Sequence, residues 1–199
     1  MKKGKFVVIE GIDGCGKSMQ MEMLKEKLKE EVVFTREHTL DGPVGRLIEE
    51  IVNKRVKLDA VAVQLCFTAD RIDHVKRVVE LELKKGKTVI SDRYYWSTVA
   101  YGSLVADKEW LLELNEKVVR KPDLVILIDV SAEIGVERMK GSRNEKTIFE
   151  KRKKLAKARK TYLWLAEKYK KSCVVIDGTK KPEEINQKIL NILEIYGVC

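Results

Sequence analysis

Residues 11–18 read Gly-Ile-Asp-Gly-Cys-Gly-Lys-Ser, and their G-x-x-x-x-G-K-S spacing decides the fold class. Before them, Lys5-Phe6-Val7-Val8-Ile9-Glu10 is an apolar run of buried-strand length; after them, Met19, Met23, Leu24 and Leu28 recur at helical spacing. The glycines therefore fall at a strand-to-helix turn. There, missing Cβ atoms let backbone N–H groups close on an anion, and a helix N-terminus adds partial positive charge. A lysine and a hydroxyl follow at once, the arrangement of a P-loop, which surrounds a nucleotide's phosphates and their Mg²⁺. A glycine-rich turn with a surface lysine is the plainer alternative, and the flanking strand and helix argue against it.

Working outward, short apolar runs recur at residues 5–10, 32–35, 87–91, 124–130 and 173–177. Segments with helical periodicity separate them, so β and α alternate from end to end. Runs such as Leu124-Val125-Ile126-Leu127-Ile128-Asp129 are apolar without alternation, as strands covered on both faces must be. The reading is α/β: a three-layer α/β/α sandwich with a five-stranded parallel sheet, of P-loop NTPase type. Gly86 and Pro122 mark the entries to the third and fourth strands, and Gly178 the exit from the fifth. No repeat, low-complexity tract or linker divides the chain, so residues 1–199 read as a single domain.

Apolar content of 44% suffices for one core. No apolar stretch approaches membrane-spanning length, and the chain enters a strand too soon for a signal peptide, so a cytoplasmic protein with no membrane partner is expected. Cys15, Cys66, Cys173 and Cys199 are scattered, which argues against both a zinc site and a disulfide framework. A charged fraction of 36%, rich in Lys and Glu and sparing in Gln, resembles the composition of a thermophile. The net charge of +9 suits nucleic acid, an anionic surface or a small polyanionic substrate. Much of the excess lies between Lys146 and Lys171, where cations interleave with Leu155, Tyr162, Leu163, Leu165 and Ala166 as an amphipathic helix with a solvated face. Neither an RNA-binding aromatic signature nor a helix-turn-helix pattern accompanies it, so no nucleic acid partner is expected.

The longest helical segment, about Asp59 to Lys84, carries the stripe Val63, Phe67, Arg71, Val75, Val78, apolar except for one guanidinium. A buried arginine needs acceptors. A structural ion pair with Asp70, Asp73 or a strand-end carboxylate is one reading. Phe67 stands one turn earlier, so a flat aromatic and a hydrogen-bonding fork face the same space, which suits a planar base. The third strand runs into Asp92 and Arg93, at the carboxyl end of a parallel strand and so at the ligand edge of such a sheet. Asp92 is placed to hold the water shell of Mg²⁺ and Arg93 to reach phosphate oxygens; an Asp–Arg pair capping the turn is the alternative. The second strand delivers Arg36 and Glu37 to the same edge, where a surface ion pair is an equal reading.

Together these segments resemble the thymidylate kinase family of nucleoside monophosphate kinases over nearly the whole chain. Glu10 to Ser18 is similar to the family's E-G-x-D-G-x-G-K-S/T, Thr35 to Glu37 to its T-R-E-P, Leu65 to His74 to its L-F-A-A-D-R-x-x-H, and Asp92 to Tyr101 to its D-R-Y-x-x-S-x-x-A-Y. The P-loop alone is common to many NTPases; the Phe67/Arg71 block with Asp92–Tyr101 is far more specific. The resemblance implies that Gly11, Ile12, Asp13, Gly14, Cys15, Gly16, Lys17 and Ser18 hold the ATP phosphates, with Ser18 and Asp92 toward Mg²⁺. It further implies that Asp13 lies near the acceptor sugar's 3′-hydroxyl and that Arg36 and Arg93 clamp the acceptor's phosphate. Phe67 would stack on thymine, Arg71 would bond its carbonyl edge, and Thr98 and Tyr101 would line the base and sugar pocket. Residues 138–149 would form a lid over ATP, with Arg138 at its start and Arg143 joining Lys17, Arg93 and Asp92 in catalysis.

Several positions depart from the family pattern. His38 stands where Pro is usual, and Gly102 follows Tyr101 where Gln is common. Cys15 and Met19 replace small hydroxyl residues, which sets a thiol in the phosphate loop, open to thiol reagents. Thr147 and Ile148 fall where many bacterial relatives carry Asp-Arg, so Arg143, Lys146 or Arg138 must supply any lid cation; Gly14, not Arg, occupies the loop. The expected activity is phosphoryl transfer from MgATP to dTMP, giving ADP and dTDP, by a homodimer. The alternatives are a same-fold kinase for another deoxynucleoside monophosphate or a nucleoside, and a P-loop switch or nucleic-acid-binding protein.

Overall fold

Phe6–Glu10 forms strand β1 as its apolar run predicts, and every residue in it is buried. The computed structural model describes residues 4–28, 32–139 and 145–198, the side chains of 145–147 excepted. Val32–Arg36 forms β2, Thr88–Asp92 β3, Leu124–Asp129 β4 and Cys173–Asp177 β5. All pair in parallel, in the order β2-β3-β1-β4-β5. The three inner strands are sealed on both faces, which is why their sequences do not alternate. Each fully buried Val, Ile or Leu in them contributes about 2 kcal/mol over its exposed state.

Register sets where the chemistry gathers. Ile9 pairs with Asp92, and Arg36 pairs with Asp92 from the other side. The carboxyl ends of β1, β2 and β3 are therefore flush, and the residues just past them share one edge.

Helices cover both faces: α1 Lys17–Lys27, α2 Pro43–Val52, α3 Ala60–His74, α4 Glu80–Lys84, α5 Tyr95–Gly102, α6 Lys108–Val118, α7 Ala132–Arg138, α8 Glu145–Lys168 and α9 Pro182–Ile195. Polar residues start several of them. Asp59 accepts the N–H of Val61 and of Ala62 at the head of α3, and Asp107 accepts that of Trp110 in α6. Pro43 and Pro182 open α2 and α9, where a missing N–H costs nothing.

Two helical stripes differ from the sequence reading. In α1 the buried residues are Lys17, Gln20, Met21 and Leu24, while Met19 is 55% exposed. The first turn is claimed by the loop before it and by α9, whose Pro182 carbonyl accepts a hydrogen bond from Gln20. Between α3 and α4, Val75–Val79 is a turn of π-helix. The wider turn shifts the inward position by one residue, so Val79 rather than Val78 is fully buried. In α8, Leu155, Tyr162, Leu165 and Ala166 face inward as expected, joined by Ala158, while Leu163 is exposed.

Candidate active site

The loop after β1 is shaped by its glycines. Gly14 (φ +78°) and Gly16 (φ +103°) take left-handed backbone that residues with side chains rarely adopt. A Cβ on Gly14 would come within 2.2 Å of the Gly135 carbonyl oxygen of α7, so the two segments touch through bare backbone. Gly16 precedes α1, and no acid in that helix's first turn neutralises its positive end.

Lys17, the first residue of α1, is buried. Its Nζ donates to the carbonyls of Gly11 at 2.8 Å and Ile12 at 3.0 Å, and approaches Cys15 Sγ at 3.5 Å. The ammonium is thus folded onto its own loop, and binding phosphate means exchanging those carbonyls for it. Cys15 is 1% exposed and belongs to the apolar core, with Sγ only 2.6 Å from where a Cβ on Gly11 would stand. The expected open thiol is therefore corrected: its sulfur is packed inside the loop, out of reach of bulky reagents.

Asp92 and Arg93 leave β3 in different directions. Asp92 Oδ1 is buried with no hydrogen-bond partner among the described residues, and it shares a cavity with Lys17 and Ser18. A buried anionic oxygen without a partner is costly unless a cation or its water meets it. One carboxylate and one hydroxyl on an open wall fit a largely hydrated divalent ion. Arg93 holds φ +71°, a strained value for a residue with a side chain. Its N–H donates to the Ile9 carbonyl at 3.0 Å and its own carbonyl accepts the Ser91 hydroxyl at 2.8 Å, which pins that conformation. The guanidinium pairs with Asp13 of the loop and donates to Ser97 Oγ at 3.0 Å. The alternative Asp92–Arg93 capping pair does not form.

Asp13 is held a second way, its N–H donating to the Tyr101 hydroxyl at 2.9 Å. Beneath this lies Glu10, a role that sequence reasoning missed. Fully buried, its carboxylate accepts from the N–H groups of Tyr94 and Ser97 at 2.9 and 3.1 Å, and from the hydroxyls of Ser97 and Tyr162 at 2.8 and 3.0 Å. Burial raises its pKa above the ordinary carboxylate value, against the opposing pulls of Arg93, Ser97, Lys17 and Tyr162. Glu10 thereby ties α5 and α8 to the strand that carries the loop. The available signal was a carboxylate ending an otherwise apolar central strand.

The loop after β2 is fastened by α3. Glu37 is buried, accepting from Arg71 Nε at 2.6 Å and facing His74 Nδ1 at 3.1 Å. His74 Nε2 meets Thr35 Oγ1 at 2.7 Å, and Asp70 accepts both the N–H and the hydroxyl of Thr39 at 2.8 and 2.6 Å. Glu37 is therefore no surface ion pair; it is the strand-end carboxylate that answers the buried Arg71. Arg71 also donates to Asn115 Oδ1 at 2.7 Å and Thr98 Oγ1 at 3.1 Å. Three of its five N–H bonds are thereby used, leaving one on each terminal nitrogen. His38 packs edge-on against Phe67, ring centres 5.8 Å apart, and its Nε2 lies 3.0 Å from Glu49.

Two cavities open at this edge. One, of about 420 Å³, is lined among others by Gln64, Phe67, Arg71, Thr98 and Tyr101. The other, of about 700 Å³, holds residues 13–18 with Asp92, Arg138 and Pro182. Asp13, Arg36, Glu37 and Arg93 belong to both, so the cavities adjoin at the loop. Arg138 donates to the Gly178 carbonyl at 2.9 Å beside the larger one. Arg143 lies outside the described residues, as do the side chains of Lys146 and Thr147.

A parallel sheet with such a loop on its central strand, opening on paired cavities, defines a P-loop fold with space for a second ligand beside the nucleotide. The family model described as thymidylate kinase matches residues 9–189. A probable thymidylate kinase of Thermococcus onnurineus is 41% identical, over 95% of this chain and 97% of that protein. Another, of Methanocaldococcus jannaschii, is 38% identical over 98% of both. The crystal structure of thymidylate kinase from Ehrlichia chaffeensis superposes with a TM-score of 0.76 at 25% identity, covering 96% of this chain and 98% of that one. The chain belongs to the thymidylate kinase family.

Proposed function

We propose that the protein transfers the γ-phosphoryl group of MgATP to dTMP, giving ADP and dTDP. The observation that carries this reading, beyond family membership, is the pair of cavities sharing Asp13, Arg36 and Arg93. ATP takes the larger, its phosphates among the amides of residues 11–18 and Lys17. dTMP takes the smaller, its base against Phe67, with the spare N–H bonds of Arg71 directed at a carbonyl and Thr98 and Tyr101 along the wall. The acceptor's phosphate lies at the junction, between Arg36 and Arg93, with Asp13 near the sugar's 3′-hydroxyl.

The transfer forms a bond from an acceptor phosphate oxygen to the γ-phosphorus as the bond to the ADP oxygen breaks. The acceptor is already anionic, so no strong base is required, and catalysis consists of alignment and charge neutralisation. Ser18 and Asp92 would hold the magnesium shell, and the ion would supply neutralisation of charge on the phosphate oxygens. Lys17 exchanges the Gly11 and Ile12 carbonyls for phosphate, and Arg93 balances the charge gathering between the substrates. Residues 138–149, with Arg138 and Arg143, close over ATP and keep water from it. The assembly is a homodimer; Leu47 on α2 and Leu65 on α3 are exposed apolar side chains that a second copy could cover. No described helix is long and apolar enough to cross a membrane, and we place the enzyme in the cytoplasm of a thermophile.

The test is an acceptor panel. Rates of ADP formation with dTMP, dUMP, dCMP, dGMP and thymidine should rank dTMP first; a clear preference for another monophosphate or for the nucleoside would assign the fold to a different acceptor.

A further inference from the structure

Gly102, the last residue of α5, has no side chain, and its space is taken from the neighbouring helix. A Cβ built there would lie 3.1 Å from Gln64 Oε1, 3.2 Å from Gln64 Cγ and 2.6 Å from Leu111 Cδ1. Gln64 thus reaches from α3 across to α5 and lines the smaller cavity with Phe67, Arg71 and Thr98. Among the described residues its carboxamide has no hydrogen-bond partner.

The base end of that cavity is otherwise rich in donors. Arg71 keeps two unused N–H bonds, and Thr98 Oγ1, which already accepts from Arg71, has its own proton to give and one lone pair left. The acidic groups on the wall are committed: Glu37 to Arg71 and His74, Asp13 to Arg93. A thymine edge presents two carbonyl acceptors with an N–H donor between them. That N–H needs an acceptor, since a buried polar hydrogen without one is costly. Thr98 Oγ1 already takes a hydrogen bond from the Arg71 guanidinium, whereas the Gln64 carboxamide oxygen is wholly uncommitted among the described residues.

We infer that Gln64 is a specificity-determining residue for the acceptor base, its carboxamide oxygen accepting the N3–H of the pyrimidine while Arg71 serves a neighbouring carbonyl. The inference rests on the reading of this cavity as the dTMP site. Gly102 leaves Gln64 room for this, since a Cβ there would crowd its carboxamide oxygen at 3.1 Å and press harder on Leu111 at 2.6 Å.

Gln64→Leu keeps the bulk of the side chain and removes both polar atoms, and Gln64→Glu keeps an acceptor. In Gln64→Leu the KM for dTMP should rise about tenfold, the order expected for one lost hydrogen bond in a desolvated site, with the KM for ATP and the melting temperature unchanged. Gln64→Glu should recover most of that loss. An unchanged KM for dTMP in Gln64→Leu overturns the role of Gln64, as does a parallel rise in both KM values with a lowered melting temperature. A wild-type enzyme that prefers an acceptor lacking the N3–H overturns the dTMP reading itself, and this inference with it.

Discussion

Among single residues, Tyr101 does two jobs, one with its ring and one with its hydroxyl. It lines the smaller cavity, and its hydroxyl accepts the Asp13 N–H at 2.9 Å, holding the glycine-rich loop. Burial, followed by the nearby Asp13 charge, raises its pKa, so the hydroxyl stays neutral through the working range. Tyr101→Phe keeps the ring and drops the oxygen; it should lower kcat while leaving the preference for dTMP over the ribonucleotide intact. Tyr101→Ala opens the wall where a 2′-hydroxyl would press, and should narrow that preference by about 2 kcal/mol, roughly thirtyfold in kcat/KM. Equal deoxy-to-ribo ratios in wild type and the Ala variant would move sugar discrimination to another residue. Lys17 shows what sequence cannot give: its presence after the last glycine is legible, but its resting place on the Gly11 and Ile12 carbonyls is a three-dimensional fact.

Among elements, α3 matters most, because one helix both lines the smaller cavity and holds the loop that carries Arg36. Asp70, Arg71 and His74 reach Thr39, Glu37 and Thr35, so the sequence block from Leu65 to His74 and the block from Thr35 to Thr39 act as one unit. Arg71→Ala should therefore raise the KM for dTMP and also lower the melting temperature, since it leaves the buried Glu37 carboxylate short of its charged partner. Loss of stability on the order of 3 kcal/mol is expected, read by denaturant unfolding. A variant that loses dTMP affinity at wild-type stability would show that Glu37 finds another donor. Strands were the most legible elements, since buried parallel strands are continuous apolar runs. Helix faces were less so: the π turn at Val75–Val79 moves the buried position from Val78 to Val79, and nothing in the local residues announces it. Partners of buried polar side chains, Arg71 with Glu37 and Glu10 with Tyr162, lie 34 and 152 residues apart and follow only from the packing.

For the whole molecule, the sheet edge is where stability and function oppose one another. Glu10 anchors α5 and α8 at the cost of a buried carboxyl whose pKa lies above its ordinary 4.5. A raised folded-state pKa means the folded protein binds more protons than the unfolded chain above that ordinary value, so this group's contribution falls as pH rises through the window. Exposed carboxylates paired with cations, such as Glu113 with Lys117, have lowered pKa values and the opposite sign: their contribution is present at neutral pH and is lost in acid. Between about pH 4 and about pH 8, the melting temperature of wild type should therefore decline relative to that of Glu10→Gln; parallel profiles would show that Glu10 titrates as an ordinary acid. At the same edge, in the proposed reaction, donor and acceptor are held together on either side of Asp13, Arg36 and Arg93, and the phosphoryl group crosses directly between them. Initial rates over a matrix of ATP and dTMP concentrations test this most directly. Direct transfer gives double-reciprocal lines that intersect, the mark of a ternary complex, whereas parallel lines, the mark of a phosphorylated enzyme between two half-reactions, would rule it out.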